Sequence, residues 1–558
     1  MKKIILLTVF LFLSFTAYSQ TITSNGTGSW NDGATWVGGV VPNNSNAVVI
    51  ANGHTVTCAT EQAANTLTVN NGGSLTISKD GALTVSSTVT NSAGATGIII
   101  VGTATESGSL IAKSGSSPTI SVDIYVPSAQ WKLLGLPVVG EIVDDVDATL
   151  DTNGSKIGLG LWDVSSSSWD LYLNSETASE LLQNRGYEIK RSAASGPGTI
   201  RFSGSMRTSN RTSSGTATNK WSLVGNPFPS YLRLTNDATG NNESGDADNY
   251  FLNSDHLSYL PAAYKSVYGW DGSAYASYSN TDGAGGGAID VVMPGDAFFV
   301  YTNGAEVFSL KEDYQLHDGG RGFRSSTAQG SDDESNYSRM SAIKFAVNDN
   351  VNTKKYLTIF FADNETSSLD PGSDIGAFPY GDFDVYTQLV KDDSNGIDFT
   401  VQSLPYKNMN DVVIPMGVKT EIGLLKFSFV ENTLPYYIDM YLEDTEENTF
   451  KKITDGFEIN FDEAYEGLGR FYLHFTDQLI PELPTDDNLR IYKGSDSDVM
   501  VMGAVGKNYS AKVYDYSGRL IKEVNFNHKT KINDLDSKMK ILRIESEEGL
   551  TIKKFKLN

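Results

Sequence analysis

Short apolar segments recur at a fixed spacing near the start of the chain. Residues 67–69, 75–77 and 83–85 read Leu-Thr-Val or Leu-Thr-Ile and follow one another at intervals of eight, with turns containing Gly, Asn and Asp between them. Apolar residues alternating with Thr have the period of a strand, and Gly or Asn supplies the positive φ of a tight corner. The pattern predicts a β-solenoid-like segment over residues 21–126, the first block. A meandering β-sandwich is the alternative.

Residues 127–330, the central block, combine short apolar runs with long polar loops. The runs are too short for helices and end in Gly, Pro or Asn. They comprise residues 131–137, 160–163, 186–189, 221–230 and 294–301. This pattern predicts a β-rich central module.

Two further modules follow. Residues 342–347, 356–361 and 470–475 alternate cleanly, which predicts a β-sandwich over residues 335–480, the third block. The Pro-bounded segment 481–484 is a stiff linker to residues 486–558, the fourth block. The predicted fold class is all-β: a β-solenoid-like N-terminal segment followed by β-sandwich-type modules.

Residues 1–20 have the pattern of a signal peptide. Lys2 and Lys3 precede an apolar run over residues 4–15, and the small residues that follow suit cleavage. The alternative is a membrane anchor, but a run this short does not span roughly 30 Å of hydrocarbon. Because no apolar stretch of about 18 residues occurs elsewhere, we expect an exported chain with no transmembrane segment after cleavage.

Charge and cysteine content exclude several classes of protein. The 558 residues carry a net charge of −24, with −27 in residues 1–485 and +3 in residues 486–558. An acidic surface repels phosphate backbones, so nucleic acid is a poor partner. Cys58 is the single cysteine, which excludes an intramolecular disulfide, a cysteine-based zinc site and an iron–sulfur cluster.

No catalytic motif is present. The five histidines are scattered, and no Gly-x-Ser-x-Gly, His-Glu-x-x-His or phosphate-loop motif occurs. They are His54, His256, His317, His474 and His528. Glycosidases and lyases need only carboxylates, or Tyr with Arg or Lys, brought together by folding. His256 with Tyr259, or Arg321 with Arg324, could serve a lyase, but each is more often an ordinary surface residue, so no catalytic residue is predicted.

Aromatic residues form the main candidate for ligand binding. Six lie within 29 residues of the central block: Tyr250, Tyr264, Tyr268, Trp270, Tyr275 and Tyr278. Exposed rings stack on the apolar C–H face of a sugar, whereas buried rings fill a core. Trp30 and Trp36 present the same choice between stacking on a sugar and capping the open end of the first block.

Calcium is the only cofactor for which the sequence offers candidate ligands. Closely spaced oxygen ligands suit this ion, but a solvated acidic loop is the alternative reading, and no metal or cofactor site is predicted. The acidic positions are Asp144, Asp145, Asp147, Asp151 with Asn153, then Asp246 and Asp248, and in the third block Asp363, Asp370, Asp374, Asp382 and Asp384.

Several phrases resemble modules of secreted proteins from Bacteroidetes. Residues 29–42 (SWNDGATWVGGVVP) and 48–56 (VVIANGHTV) resemble the start of solenoid segments in large surface proteins. Residues 223–230 (LVGNPFPS) and 295–300 (GDAFFV) resemble the central region of flavobacterial proteins exported by the type IX secretion system. In the third block, YLED at 441–444, Tyr465 and RFYLHF at 470–475 resemble the sandwich that precedes their sorting domain.

The fourth block resembles a C-terminal sorting domain of type IX secretion cargo. The matching phrases are LRIY at 489–492, AKVYDYSGRLI at 511–521, ILRI at 541–544 and KKFK at 553–556. Residues 493–495 (KGS) replace the usual Pro-Asn-Pro, and residues 538–540 (KMK) stand where a Gly usually precedes the last hairpin. A generic small β-sandwich is the alternative.

These observations predict a secreted or cell-surface protein. The resemblance implies the type IX machinery as a partner, and the aromatic residues indicate a polysaccharide or cell-surface glycan as a ligand. A non-enzymatic adhesion or polysaccharide-binding role is the first hypothesis. A polysaccharide-degrading enzyme, a lyase or glycosidase with its site in the central block, is the alternative.

Overall fold

A computed structural model describes most of the chain. The described residues are 20–112, 117–183, 185–213, 217–235, 249–280, 291–305, 307–317, 339–349, 353–379, 381–391, 396–410, 412–447, 449–477, 489–493, 499–503, 507–527, 529–536, 538–546 and 549–556. The predicted signal peptide therefore lies almost entirely outside them.

Strands in the first block are short and regularly spaced. They are β1 (Thr21–Thr23), β2 (Gly28–Ser29), β3 (Ala47–Ile50), β4 (Thr55–Cys58), β5 (Glu61–Ala64), β6 (Thr66–Val69), β7 (Ser74–Ile77), β8 (Ala82–Val85), β9 (Val89–Asn91), β10 (Ile98–Ile100), β11 (Ser109–Ala112) and β12 (Thr119–Val126).

These strands form three parallel sheets that the chain enters in turn. The sheets are β1-β3-β6-β9, β2-β4-β7-β10-β12 and β5-β8-β11. The eight-residue spacing carries the chain from one sheet to the next, because Leu67, Leu75 and Leu83 lie in β6, β7 and β8. Each of these leucines pairs with a residue of the next strand in its own sheet, as Leu75 does with Ile98. Neighbouring strands in these sheets are parallel, whereas the neighbours in a meander are antiparallel.

A continuous core fills the space between the three sheets. Leu67, Leu75 and Leu83 are fully buried, and the cluster they belong to continues through the central block to Met206. At the edge of the second sheet, β12 pairs antiparallel with β18 (Gly198–Ser205) of the central block, so hydrogen bonds join the two blocks where their core is continuous. The first and central blocks therefore share one core.

Trp30 and Trp36 are part of this core. Both are buried, their rings meet edge to face at 5.1 Å, and the indole Nε1 of Trp36 donates to the carbonyl of Trp30 at 2.7 Å. Neither ring can stack on a sugar, so the packing interpretation is the one that the structure supports.

In the central block, strands surround one short helix. They are β13 (Lys132–Gly135), β14 (Thr152–Asn153), β15 (Lys156–Asp163), β16 (Ser168–Leu173), β17 (Gly186–Ile189), β18 (Gly198–Ser205), β19 (Arg211–Thr212), β20 (Lys220–Gly225), β21 (Tyr231–Arg233), α1 (Ser254–Ser258), β22 (Ser266–Trp270), β23 (Tyr275–Ser279), β24 (Val291–Val292), β25 (Ala297–Thr302), β26 (Ser309–Leu310) and β27 (Gln315–Leu316). Sheets β13-β17-β15-β14, with β16 beside β15, and β20-β25-β22-β23 carry the residues of the site described below.

The third block is one folded sheet. Its strands are β28 (Met340–Asn348), β29 (Lys354–Ala362), β30 (Ile375–Gly376), β31 (Asp384–Thr387), β32 (Phe399–Pro405), β33 (Val412–Thr420), β34 (Gly423–Asn432), β35 (Asp439–Asp444), β36 (Thr449–Lys452), β37 (Phe457–Phe461) and β38 (Tyr465–Thr476). All 11 join in a single sheet that encloses one apolar core.

In the fourth block, two small sheets enclose a separate core. The strands are β39 (Arg490–Lys493), β40 (Val499–Met502), β41 (Asn508–Asp515), β42 (Leu520–Asn527), β43 (Lys529–Ile532), β44 (Met539–Ser546) and β45 (Gly549–Lys556). Sheet β39-β40-β43 faces sheet β42-β41-β44-β45 across that core. The prediction of an all-β chain with sandwich-type modules is confirmed, and the domain boundaries stay a prediction.

Asn226 connects two segments of the central block that the sequence analysis singled out, residues 223–230 and residues 295–300, through its side chain and its backbone N–H. Its fully buried side-chain amide donates to the carbonyls of Ser230, Val292 and Met293 at 2.9–3.1 Å. Its Oδ1 accepts from the backbone N–H of Phe228 at 3.0 Å. One side chain therefore satisfies backbone groups of two separate segments, residues 228–230 and residues 292–293, where water cannot reach them.

We expect Asn226→Ala to lower the free energy of unfolding by about 2 to 3 kcal/mol, because it leaves buried carbonyls without a donor. Urea unfolding followed by tryptophan fluorescence measures the change, with Asn174→Ala, an exposed position of the same block, as control. Equal midpoints for both variants would contradict the role assigned to Asn226.

Candidate functional site

Of the six aromatic residues chosen from the sequence, Tyr264 is partly exposed and packs between Trp221 at 5.6 Å and Tyr301 at 4.6 Å, and the other five divide into two groups. Tyr250, Tyr268 and Tyr278 are buried. Tyr268 donates from Oη to the carbonyl of Gly376 at 2.8 Å, and its ring meets Trp221 at 4.8 Å. Because Tyr268 is only 1% exposed, it packs a core and offers no face to a sugar.

Trp270 and Tyr275 are partly exposed, and two further tryptophans join them. Trp270 and Tyr275 meet at 5.1 Å across the β22–β23 hairpin, and Trp162 and Trp169 meet at 5.1 Å across the β15–β16 hairpin. All four lie against one apolar cluster. We call Trp162, Trp169, Trp270 and Tyr275 the aromatic strip.

Local contacts fix the orientation of the tryptophan pair. The indole Nε1 of Trp162 donates to the carbonyl of Trp221 at 2.7 Å. At the hairpin tip, the carboxylate of Asp163 accepts from Ser165 and Ser166, and these hydrogen bonds lower its pKa to about 2. A closed turn and an anchored indole hold both rings in place.

Two buried phenylalanines form the floor of the strip. Phe299 of β25 lies 4.9 Å from Trp162 and 4.9 Å from Phe378, measured between ring centroids. Phe378, from the third block, lies 4.5 Å from Tyr275. The strip therefore spans two sheets of the central block, and part of its floor comes from the third block.

A buried carboxyl group lies beside the strip. Glu188 of β17 pairs across the sheet with Leu133 on one side and Gly160 on the other, so it shares a face with Trp162, two residues along from Gly160. A Cβ at Gly160 would lie 2.8 Å from Cδ2 of Leu171 and 3.3 Å from Oε1 of Glu188, so glycine at this position relieves crowding around both side chains. Among the described residues, none hydrogen-bonds the carboxyl group of Glu188, and burial raises its pKa to about 8.

The acidic residues considered for calcium have other roles. Asp145 accepts from the backbone N–H of Ile142 at 3.0 Å, and Asp151 pairs with Lys190 at 3.0 Å. Asp144 is exposed and Asp147 half-buried. Asp246 and Asp248 lie outside the described residues.

Carboxylates of the third block are similarly engaged. Asp363 pairs with Arg339 at 2.7 Å and Asp384 with Lys355 at 3.6 Å. Asp374 accepts from Ser403 and from the backbone of Asp370, which in turn accepts from Thr366, and Asp382 is exposed. In the part of the chain that the structure describes, no three His, Cys, Asp or Glu side chains are grouped to hold a metal ion.

The described histidines contact structural partners. His54 is hydrogen-bonded to Ser24, and His474 to Glu443. His256 is hydrogen-bonded to the carbonyl of Phe251 and the N–H of Ser309. His317 is hydrogen-bonded to Thr84 and Ser109. Burial lowers the pKa of His256 and His317 to about 4, which keeps both neutral near pH 7. Tyr259 packs on the ring of His256 at 5.9 Å. His528, Arg321 and Arg324 lie outside the described residues.

Sequence reasoning missed several of these residues. Trp162 and Trp169 stand seven apart around a Ser-rich turn, which is a hairpin signal that could have paired them. Glu188 carries no such signal, because only folding places it over Gly160. A second exposed aromatic pair, Tyr436 and Tyr437, was also missed: the rings are 98% and 53% exposed and meet at 5.5 Å.

Comparison with known proteins adds little. No family model matches the chain, and the search of curated proteins found no match. Among solved structures, a segment of two fibronectin type III domains from chicken tenascin matches at 8% identity and a TM-score of 0.12, over 25% of this chain and 95% of that one. The FN1–FN3 domains of chicken CNTN1 match at 9% identity and a TM-score of 0.12, over 40% and 90%. At these values neither match supports an inference about function.

In the described part of the chain, no helix combines the length and apolar character that a membrane crossing requires.

We expect Glu188→Gln to change how stability depends on pH. Burial raises the folded-state pKa of Glu188 from 4.5 to about 8, so the unfolded chain releases this proton first and stability falls as pH rises between these values. A carboxamide removes that loss. The variant should therefore match the wild type near pH 4.5 and exceed it by about 2 to 4 kcal/mol near pH 8.

Thermal unfolding between pH 4.5 and 9 measures the difference, with Glu180→Gln, an exposed position, as control. If the wild type and Glu188→Gln curves stayed parallel, Glu188 would not be a desolvated carboxyl group.

Proposed function

We propose that this chain is a secreted or cell-surface protein that binds polysaccharide without chemically altering it, and so serves adhesion. The aromatic strip carries the proposal. Four partly exposed rings lie on one buried floor, and a ring held in place loses little entropy when a sugar stacks on it.

Charge favours sugar over nucleic acid as the ligand. Aromatic surfaces also stack on bases, but single-stranded nucleic acid binding combines stacking with a positively charged groove. Residues 1–485, which include the strip, carry −27. A neutral or weakly charged ligand is therefore the better partner for these rings.

The architecture proposed for the whole protein has four parts. The three parallel sheets of the first block are interpreted as a β-solenoid, in which each circuit stacks on the previous one. We assign the fourth block as a type IX sorting domain. Two observations support this assignment: the block has a separate core, and its net charge is opposite in sign to that of residues 1–485. The central and third blocks then form the cargo.

A polysaccharide-degrading enzyme is the second candidate, and Glu188 is the observation that favours it. A carboxyl group that stays protonated near pH 7 is what a glycosidase uses as its general acid. Glycoside hydrolysis also needs a second carboxylate across the scissile bond. Release of reducing or unsaturated ends from a polysaccharide panel would establish this activity and contradict the binding-only proposal.

The strip is tested by retention on polysaccharides. We expect the full chain to be retarded in gels containing a polysaccharide that it binds, and Trp169→Ala to weaken this interaction about tenfold because stacking on one ring is lost. Tyr436→Ala removes an exposed ring of the third block and is the matched control. Unchanged binding by Trp169→Ala, or loss of binding in Tyr436→Ala alone, would place the site elsewhere.

Export is tested separately. A signal peptide takes a chain only across the inner membrane, so the fourth block is expected to supply the second signal. We expect a chain ending at Leu483 to accumulate, folded, in the periplasm, and residues 485–558 fused to an unrelated exported protein to carry it to the surface or medium. Fractionation with an antibody to the central block measures both. Normal surface levels of the truncated chain would contradict the sorting assignment.

A further inference from the structure

Glu188 limits what the strip can bind. The residue is 94% buried by surface, with 6% accessible, and none of the described residues offers it a hydrogen bond or an opposite charge. Withdrawing a carboxyl group from water is costly unless it is hydrogen-bonded, so one that is nearly buried and has no protein partner calls for an explanation.

The surroundings of Glu188 leave the space for a ligand rather than for a protein partner. Its neighbours on this face of the sheet are Leu133, Gly160 and, beyond Gly160, Leu171. None of these can hydrogen-bond through a side chain. A side chain at Gly160 would clash with Leu171 and crowd the carboxyl group, whereas glycine leaves that group room on the face that carries Trp162.

We propose that the strip takes an uncharged polysaccharide and that the carboxyl group of Glu188 hydrogen-bonds a hydroxyl group of the sugar stacked on Trp162. This inference rests on the proposed function and names its ligand class. A neutral carboxyl group donates one hydrogen bond and accepts others, which matches a sugar hydroxyl group.

The same geometry disfavours acidic polysaccharides. A uronate or sulfate group needs a cation. Lys355, below Phe378 of the floor, is already paired with Asp384 and donates to the carbonyl of Phe378, and Lys220, at the tip of the Trp162–Trp169 hairpin, donates to the hydroxyl group of Ser167 at 3.4 Å. Lys354 donates to Ser273 at 3.1 Å. A polyanion would also meet the −27 of residues 1–485.

The test compares two substitutions at Glu188 in the full chain. Affinity electrophoresis is run with two neutral polysaccharides, a mixed-linkage β-glucan and a galactomannan, and with two polyanions, alginate and polygalacturonate. Glu188→Gln keeps a donor and an acceptor and should bind within about threefold of the wild type, while Glu188→Leu should bind about tenfold more weakly. Melting temperatures at pH 6.5 verify that both variants are folded.

Each outcome decides the inference. Binding to a neutral polysaccharide that Glu188→Leu weakens and Glu188→Gln retains supports it. Tighter binding to a polyanion, or no effect of Glu188→Leu, overturns it, and the proposed function still stands if Trp169→Ala weakens that binding. Failure to bind any of the four polysaccharides overturns both the inference and the proposed function.

Discussion

The buried amide of Asn226 determines where the floor of the aromatic strip lies. It bonds the carbonyls of Val292 and Met293, and its backbone N–H donates to the carbonyl of Asp296 at 3.0 Å. These contacts position the turn from which β25 begins, and Phe299 is the third residue of that strand. Since the chain has one cysteine and can form no intramolecular disulfide, such buried hydrogen bonds and apolar packing have to supply the stability of the fold.

The third block completes this surface. Phe378 closes the floor, and Ile375 and Val401 pack in the same cluster as Trp221 and Tyr268. The hydroxyl group of Tyr356 in the third block donates to the carboxylate of Asp271 in the central block at 2.7 Å. Because the central and third blocks share this core, the strip is complete only when both are present. A fragment ending before the third block would lack part of the floor.

Much of the fold follows from the sequence, because period-two alternation and Gly or Asn turns indicate strands wherever they occur. The same periodicity cannot say which strands become neighbours. Leu67, Leu75 and Leu83 illustrate this limit. They are eight residues apart but lie in three different sheets, and each pairs with a residue of the next strand in its own sheet.

The site was less predictable than the fold. Trp270 and Tyr275 were candidates and lie in the strip. Tyr268 shares a strand face with Trp270 but is buried, because Trp221 and Phe378 pack against its ring. Trp162 and Glu188 come from strands that only tertiary pairing brings to one face. The structure of the full chain with a neutral oligosaccharide is the most direct test of the strip. We expect a pyranose ring stacked on Trp162 or Trp169, with a hydroxyl group within hydrogen-bonding distance of Glu188. A sugar bound at Tyr436 and Tyr437, with the strip empty, would contradict it.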